Sequence, residues 1–153
     1  MIIVTNPSEI KKKHFDQIIC LITKGGQVSK YGLNERLLNS EKIAYKFFGS
    51  KILSVAAIKN PNKSYKTRVF RLSKVNLIKE YNYELGYIVT DPDYEGKGYC
   101  QKVVSALLKK TKGLDMYATT RKSSMVHILK KHGFVKKGKV FKKGLTLMLS
   151  GLD

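Results

Sequence analysis

The sequence predicts an α/β chain of the α+β type, a mixed sheet with helices packed on its faces. Three observations predict it. Strand-like and helix-like segments alternate through the second half of the chain, which calls for a sheet covered by helices. An apolar strand at Tyr83–Thr90 runs into a glycine-bearing loop and then into an amphipathic stretch at Tyr99–Lys110. The chain has 153 residues, 42% of them hydrophobic. A domain of that size buries roughly 70% of its unfolded surface and needs neither disulfides nor a structural metal.

The elements follow in order. Residues 2–5 read as a short strand. Asn6-Pro7-Ser8 starts a helix over residues 9–23, with Ser8 as N-cap, Glu9 in the first turn, and Phe15, Ile18, Ile19 and Ile22 at helical spacing. Gly25-Gly26 stops it. Leu33, Leu37 and Leu38 mark a second short helix over 33–40. Lys42–Phe48 and residues 52–59 are rich in β-branched and aromatic side chains and flank Gly49-Ser50, a hairpin signal. Residues 60–64 are a loop, and 67–72 read either as another strand or as an irregular stretch. After the strand Tyr83–Thr90 and the loop 91–98, the helix Tyr99–Lys110 shows an apolar stripe of Cys100, Val103, Val104, Leu107 and Leu108. A strand over 114–120, a helix over 123–132 ended by Gly133, and strands at Val135–Phe141 and Leu145–Leu149 complete the order. With no internal repeat and no linker, residues 1–153 read as a single domain.

Charge is the outstanding feature of the composition: 30 Lys and Arg stand against 11 Asp and Glu, a net +19. Only Arg36, Arg68, Arg71 and Arg121 are arginine; the other 26 basic residues are lysine. Two readings stand, a solvated lysine surface or a functional basic face that neutralises nucleic-acid phosphates. Residues 101–153 alone carry thirteen Lys and Arg against two Asp. Within them the run from Lys136 to Lys143 interleaves lysines with apolar residues, as does a hairpin with one wet face. The excess argues against strongly cationic partners. No apolar run approaches the roughly 20 residues that span a bilayer. The opening Met1-Ile2-Ile3-Val4 is too short for a signal-peptide core. Cys20 and Cys100 show neither CxxC spacing nor a nearby His pair. A cytoplasmic chain with reduced thiols, no metal and no membrane partner is expected, as a monomer or homodimer.

The most informative stretch is Tyr87-Ile88-Val89-Thr90-Asp91-Pro92-Asp93-Tyr94-Glu95-Gly96-Lys97-Gly98-Tyr99-Cys100-Gln101. A strand feeding a glycine loop and a helix start makes an anion cradle, because the first helical turn has unpaired N–H groups and partial positive charge. The same glycines also suit an ordinary strand-to-helix turn. Two phosphate motifs fail here. GxxxxGK[ST] is absent, and the third glycine of GxGxxG would fall at Gln101.

The run from Asp91 to Cys100 resembles the acetyl-CoA loop of the GCN5-related N-acetyltransferases (GNAT). Ala118-Thr119-Thr120-Arg121 is similar to the family's next strand, His127 through Phe134 to its helix ending in Gly-Phe, and Tyr83 through Tyr87 to the strand before the loop. The resemblance implies a mostly antiparallel sheet of six to seven strands, about four helices, and splayed central strands forming a cofactor cleft. It implies that Ile88, Val89 and Thr90 pair through their backbone with the pantetheine arm of acetyl-CoA. Glu95, Gly96, Lys97, Gly98, Tyr99, Cys100 and Gln101 would lie at the pyrophosphate, with Ser123 or Ser124 near the arm. Glu95 stands where the family has Arg or Gln, so it must face solvent or pair with Lys97. Cys100 replaces a last small Gly or Ala, and Leu129 replaces the tyrosine that in many members protonates the thiolate.

The implied activity is direct transfer of an acetyl group to an amine whose identity the sequence leaves open. An amine with a pKa near ~10.4 must lose a proton before it attacks. Glu84 is the first candidate base, against the simpler reading of a solvent-facing glutamate beside a surface lysine. Tyr87 and Tyr117 are candidate acids, against a purely core role. The alternative function is nucleic-acid binding on a degenerate acetyltransferase-like fold, or acetylation of a nucleic-acid-associated amine.

Overall fold

The computed structural model describes residues 1–26 and 28–151. In chain order the elements are β1 (Ile2–Thr5), α1 (Lys12–Gly25), α2 (Leu33–Leu38), β2 (Lys42–Phe48), β3 (Lys51–Lys59), α3 (Lys63–Ser73), β4 (Tyr83–Thr90) and α4 (Tyr99–Lys110). Then come β5 (Met116–Thr120), α5 (Ser123–Lys131), β6 (Val135–Phe141) and β7 (Leu145–Leu149). The seven strands lie in the order β1-β2-β3-β4-β5-β7-β6. The β1–β2, β2–β3, β5–β7 and β6–β7 pairs are antiparallel, and β4–β5 is parallel. A parallel pair cannot be closed by a hairpin; here the connection from β4 to β5 runs through α4. The mixed, mostly antiparallel sheet is the one expected, and the five α-helices among the described residues agree with the expected number of about four.

The chain divides into two compact units. The first comprises Met1–Lys59 and Gly86–Lys112. Its core joins Ile18, Leu21 and Ile22 of α1, Leu33 and Leu37 of α2, Ile43 and Tyr45 of β2, Val55 and Ala57 of β3, and Tyr87 of β4. Every residue of β3 from Ile52 to Ile58 is buried, because α1 and α4 both pack on this strand. Covered on both faces, β3 reads as a continuous apolar run rather than an alternating one.

Helix α1 starts at Lys12, not at residue 9. Pro7 opens a 3-10 turn at Pro7–Glu9, and Ile10 then returns to extended backbone. Ser8 is therefore inside the turn and caps nothing. Glu9 is held back instead, accepting from Thr5 Oγ1 at 2.6 Å and from Asn6 Nδ2 at 3.5 Å. Gly26, at φ 69°, closes α1 in the left-handed conformation that suits glycine.

The second unit comprises Asn60–Leu85 and Gly113–Asp153. Its core is Val69, Phe70, Tyr81, Tyr117, Phe141, Leu147 and Leu149. The segment 67–72 is neither strand nor irregular; it is the middle of α3. Asn62 caps that helix, its side chain accepting from the Ser64 N–H at 2.8 Å and the Ser64 hydroxyl at 2.6 Å. Val69, Phe70 and Ser73 are buried on one side, and α3 packs on β6 and β7. The apolar pair Val69-Phe70 looks strand-like only when the cap five residues before Thr67 is ignored.

Candidate cofactor loop and buried carboxylate

In the first unit, the end of β4 is held beside β3 by a chain of short contacts. Thr90 Oγ1 and Ser54 Oγ are 2.9 Å apart, and Ser54 Oγ lies 3.3 Å from the Val89 carbonyl. The Asp91 N–H donates to the Leu53 carbonyl at 2.8 Å. Backbone groups alternate sides along a strand. With residues 89 and 91 turned toward β3, the N–H and C=O groups of Ile88 and Thr90 point away from it. Just upstream, Tyr87 is buried in the core at φ 51°. A bulky residue in this region is strained. Lys59 Nζ sits 4.4 Å from the Tyr87 ring centroid, and Gly86 makes room for it: an added Cβ would lie 2.7 Å from the Lys59 Cδ.

The loop is pinned at Asp91. Its carboxylate accepts the Asp93 N–H at 2.9 Å and lies 3.3 Å from Lys51 Nζ. The Asp93 N–H, and after it Lys51, hold the Asp91 carboxyl below the usual aspartate value, with burial opposing them. Two tyrosines gather cations around the loop. Lys51 and Lys97 stand 5.1 and 5.7 Å from the Tyr94 ring, and Lys46 stands 5.0 Å from the Tyr99 ring. Gly96 and Gly98 both take φ 78°, and nothing lies within 4 Å of the space a Cβ would fill. Gly98 is the N-cap of α4, and no side chain caps that end. Glu95 is exposed and makes no ion pair among the described residues. Gln101 and Lys102 are exposed, and Cys100 is half-buried.

In the second unit, Glu84 is 4% exposed. It is therefore not the solvent-facing glutamate of the simpler reading. Its register partner across the parallel pair is Tyr117. Tyr117 is wholly buried, edge-on to Phe70 at 5.3 Å. Its hydroxyl has no hydrogen-bond partner among the described residues. Burial first, then the charge of Glu84, then Tyr65, push the Tyr117 phenol far above its usual value. It holds its proton rather than releasing it. Ser123 and Ser124 open α5 and are exposed; Lys122, the N-cap, gives no side-chain cap.

No protein-family model matches the chain, and no curated protein sequence matches it. Solved structures do match. An acyl-CoA N-acyltransferase from Pseudomonas aeruginosa superposes with a TM-score of 0.72 over 99% of each chain, at 10% identity. A GNAT-family acetyltransferase from Streptococcus agalactiae gives 0.71 over 99% of this chain and 96% of its own, at 17% identity. An N-acetylglutamate synthase from Neisseria gonorrhoeae, solved with coenzyme A and N-acetyl-glutamate, gives 0.62 at 10% identity. All of this chain corresponds to 35% of that one. This chain has the GNAT fold.

Within the GNAT fold, the sequence-derived positions fall into two groups. Tyr87 to Thr90 and Glu95 to Gln101 belong to the first unit, and Glu84, Tyr117, Ser123 and Ser124 to the second. The structure brings Glu84 and Tyr117 together as cross-strand partners. Leu129 is fully buried as a core residue, and His127 is exposed on α5. Lys46, Lys51, Ser54 and Lys59 escaped the sequence reading. They meet the loop and β4 from β2 and β3, far away along the chain, and no local pattern marks such contacts. No helix among the described residues is long and apolar enough to cross a membrane.

Proposed function

We propose that residues 1–153 act as a single acetyl-CoA-dependent N-acetyltransferase domain that passes an acetyl group directly to an amine. The observation that carries this reading is the uncapped start of α4 behind Gly96 and Gly98, on a GNAT fold. The residues fit the cofactor. The first turn of the twelve-residue α4 directs its free N–H groups and positive dipole end at the loop. The space over both glycines is open, and Lys97 and Lys102 supply charge. Glu95, facing solvent, is no obstacle.

Acetyl-CoA supplies an activated thioester carbonyl. The loop from Gly96 to Gln101 holds pyrophosphate through backbone N–H groups, and Glu95 stays outside. Ile88 and Thr90 offer backbone groups to the pantetheine arm, while the Val89 side chain remains packed in the core. Ser123 or Ser124 contacts the arm. Glu84 would accept the proton of the attacking amine; the new C–N bond replaces the thioester C–S bond, and the departing thiolate would take up a proton in turn. Tyr117, kept protonated by its surroundings, orients rather than titrates. Tyr87 contributes through the turn its backbone imposes on β4 more than through its hydroxyl. Cys20 and Cys100 form no disulfide among the described residues, in keeping with a reducing, cytoplasmic setting.

Calorimetry with acetyl-CoA tests the reading. Saturable binding is expected, together with a rise in melting temperature that grows with ligand concentration. No heat and no shift at about 1 mM ligand, which corresponds to less than roughly 4 kcal/mol of binding, would sink it.

A further inference from the structure

Two of the chain's four arginines, Arg68 and Arg71, stand three residues apart on α3. Both are exposed. With Lys63, Ser64, Tyr65 and Thr67 they line an open groove of about 760 Å³ that lies wholly in the second unit. Lys63, Arg68 and Arg71 have no carboxylate partner among the described residues. The chain otherwise uses lysine for 26 of its 30 basic positions. A pair of arginines on one groove wall is thus a departure from its own habit. Arginine presents a rigid fork that grips phosphate bidentately, which lysine cannot do. Thr67 adds a hydroxyl donor beside them, and Tyr65 an aromatic wall.

The charge continues beyond the helix. α3 packs against β6. Gly138 of β6 approaches the last turn of α3 so closely that an added Cβ would lie 2.1 Å from the Ser73 carbonyl oxygen. Lys136, Lys137 and Lys139 of β6 are exposed and flank that contact, and Lys74 is exposed at the end of α3. Over its sequence the second unit holds fifteen Lys and Arg against four Asp and Glu. A single small anion would engage one or two of these cations. A row that runs along a helix and onto a strand matches a linear polyanion.

We propose that the α3 groove and the adjoining β6 strand bind the phosphate backbone of a nucleic-acid strand. None of these residues belongs to the cofactor loop, and the proposal stands or falls independently of acetyl transfer. Fluorescence anisotropy of the full chain with a labelled 20-nucleotide oligouridylate tests it. The slope of log affinity against log salt is about −0.7 per phosphate contacted, or about fivefold per contact at ~0.1 M salt. Arg68→Gln/Arg71→Gln should then bind about 25-fold more weakly. Lys109→Gln/Lys110→Gln removes the same charge from the exposed end of α4 and should bind within about twofold of wild type. Lys63→Gln/Arg71→Gln provides a second groove variant should the first melt early. Equal weakening by the groove and α4 pairs would overturn the proposal, since net charge alone would then explain binding. So would absence of binding at low salt, or competition by poly-glutamate as effective as by unlabelled oligonucleotide.

Discussion

Replacing Gly98 by alanine separates a phosphate cradle from an ordinary turn. Gly98 is at φ 78°, and the volume a Cβ would occupy is open. The stability cost is therefore purely conformational, about 1–2 kcal/mol for placing an L-residue in the left-handed region. For a chain of this size that lowers the melting temperature by roughly 2–8 °C. Gly113 is the control: it sits at φ 88° with the same open space, beyond the far end of α4. Gly113→Ala should lower the melting temperature by a similar amount. The two variants differ in what they do to the cofactor. At Gly98 a methyl group intrudes on the N–H groups that open α4, or the backbone relaxes and turns them aside. Losing one hydrogen bond to a charged group costs about 1.5–3 kcal/mol, or roughly 10- to 150-fold in Kd. Calorimetry with acetyl-CoA should show that loss for Gly98→Ala and unchanged affinity for Gly113→Ala. If both variants melt early and both bind acetyl-CoA like wild type, the loop is only a turn and the reasoning from its glycines is wrong.

Two further outcomes follow from the same geometry. Glu84→Gln keeps the shape of a buried side chain and removes its ability to take a proton. Turnover should fall by about 10²–10⁴ with acetyl-CoA affinity preserved and the acidic limb of the pH–rate profile lost, and unchanged kinetics would remove Glu84 from the mechanism. Gly138→Ala would place a Cβ 2.1 Å from the Ser73 carbonyl oxygen and 2.6 Å from Val75 Cγ2, at φ 74°. Overpacking and the left-handed backbone together should cost about 2–5 kcal/mol in urea denaturation, whereas a loss below about 1 kcal/mol would mean that α3 and β6 do not meet as described.

The chain's own pattern made β4, the glycine loop and α4 legible to the residue, because each rests on local chemistry. An apolar run must be covered, glycines mark left-handed backbone, and a 3.6-residue stripe needs a helix. The same logic located β2, β6 and β7. It failed at α3, where reading began inside the helix and missed the Asn62 cap, and at the start of α1, where Pro7 favoured a 3-10 turn over the Ser8 cap. Charge was legible as a sum and illegible as a map. The +19 could not say that Arg68 and Arg71 share a groove wall, since that depends on one turn of helix being exposed while Val69 and Phe70 beside them are buried. Nor could the sequence tell that Glu84 is buried against Tyr117, or that Lys46 and Lys51 lean on the tyrosines around the loop. Local propensity fixes which residues are strand, loop or helix. Burial, pKa and the meeting of distant charges are set by strand order and packing, and those exist only once the chain has closed on itself.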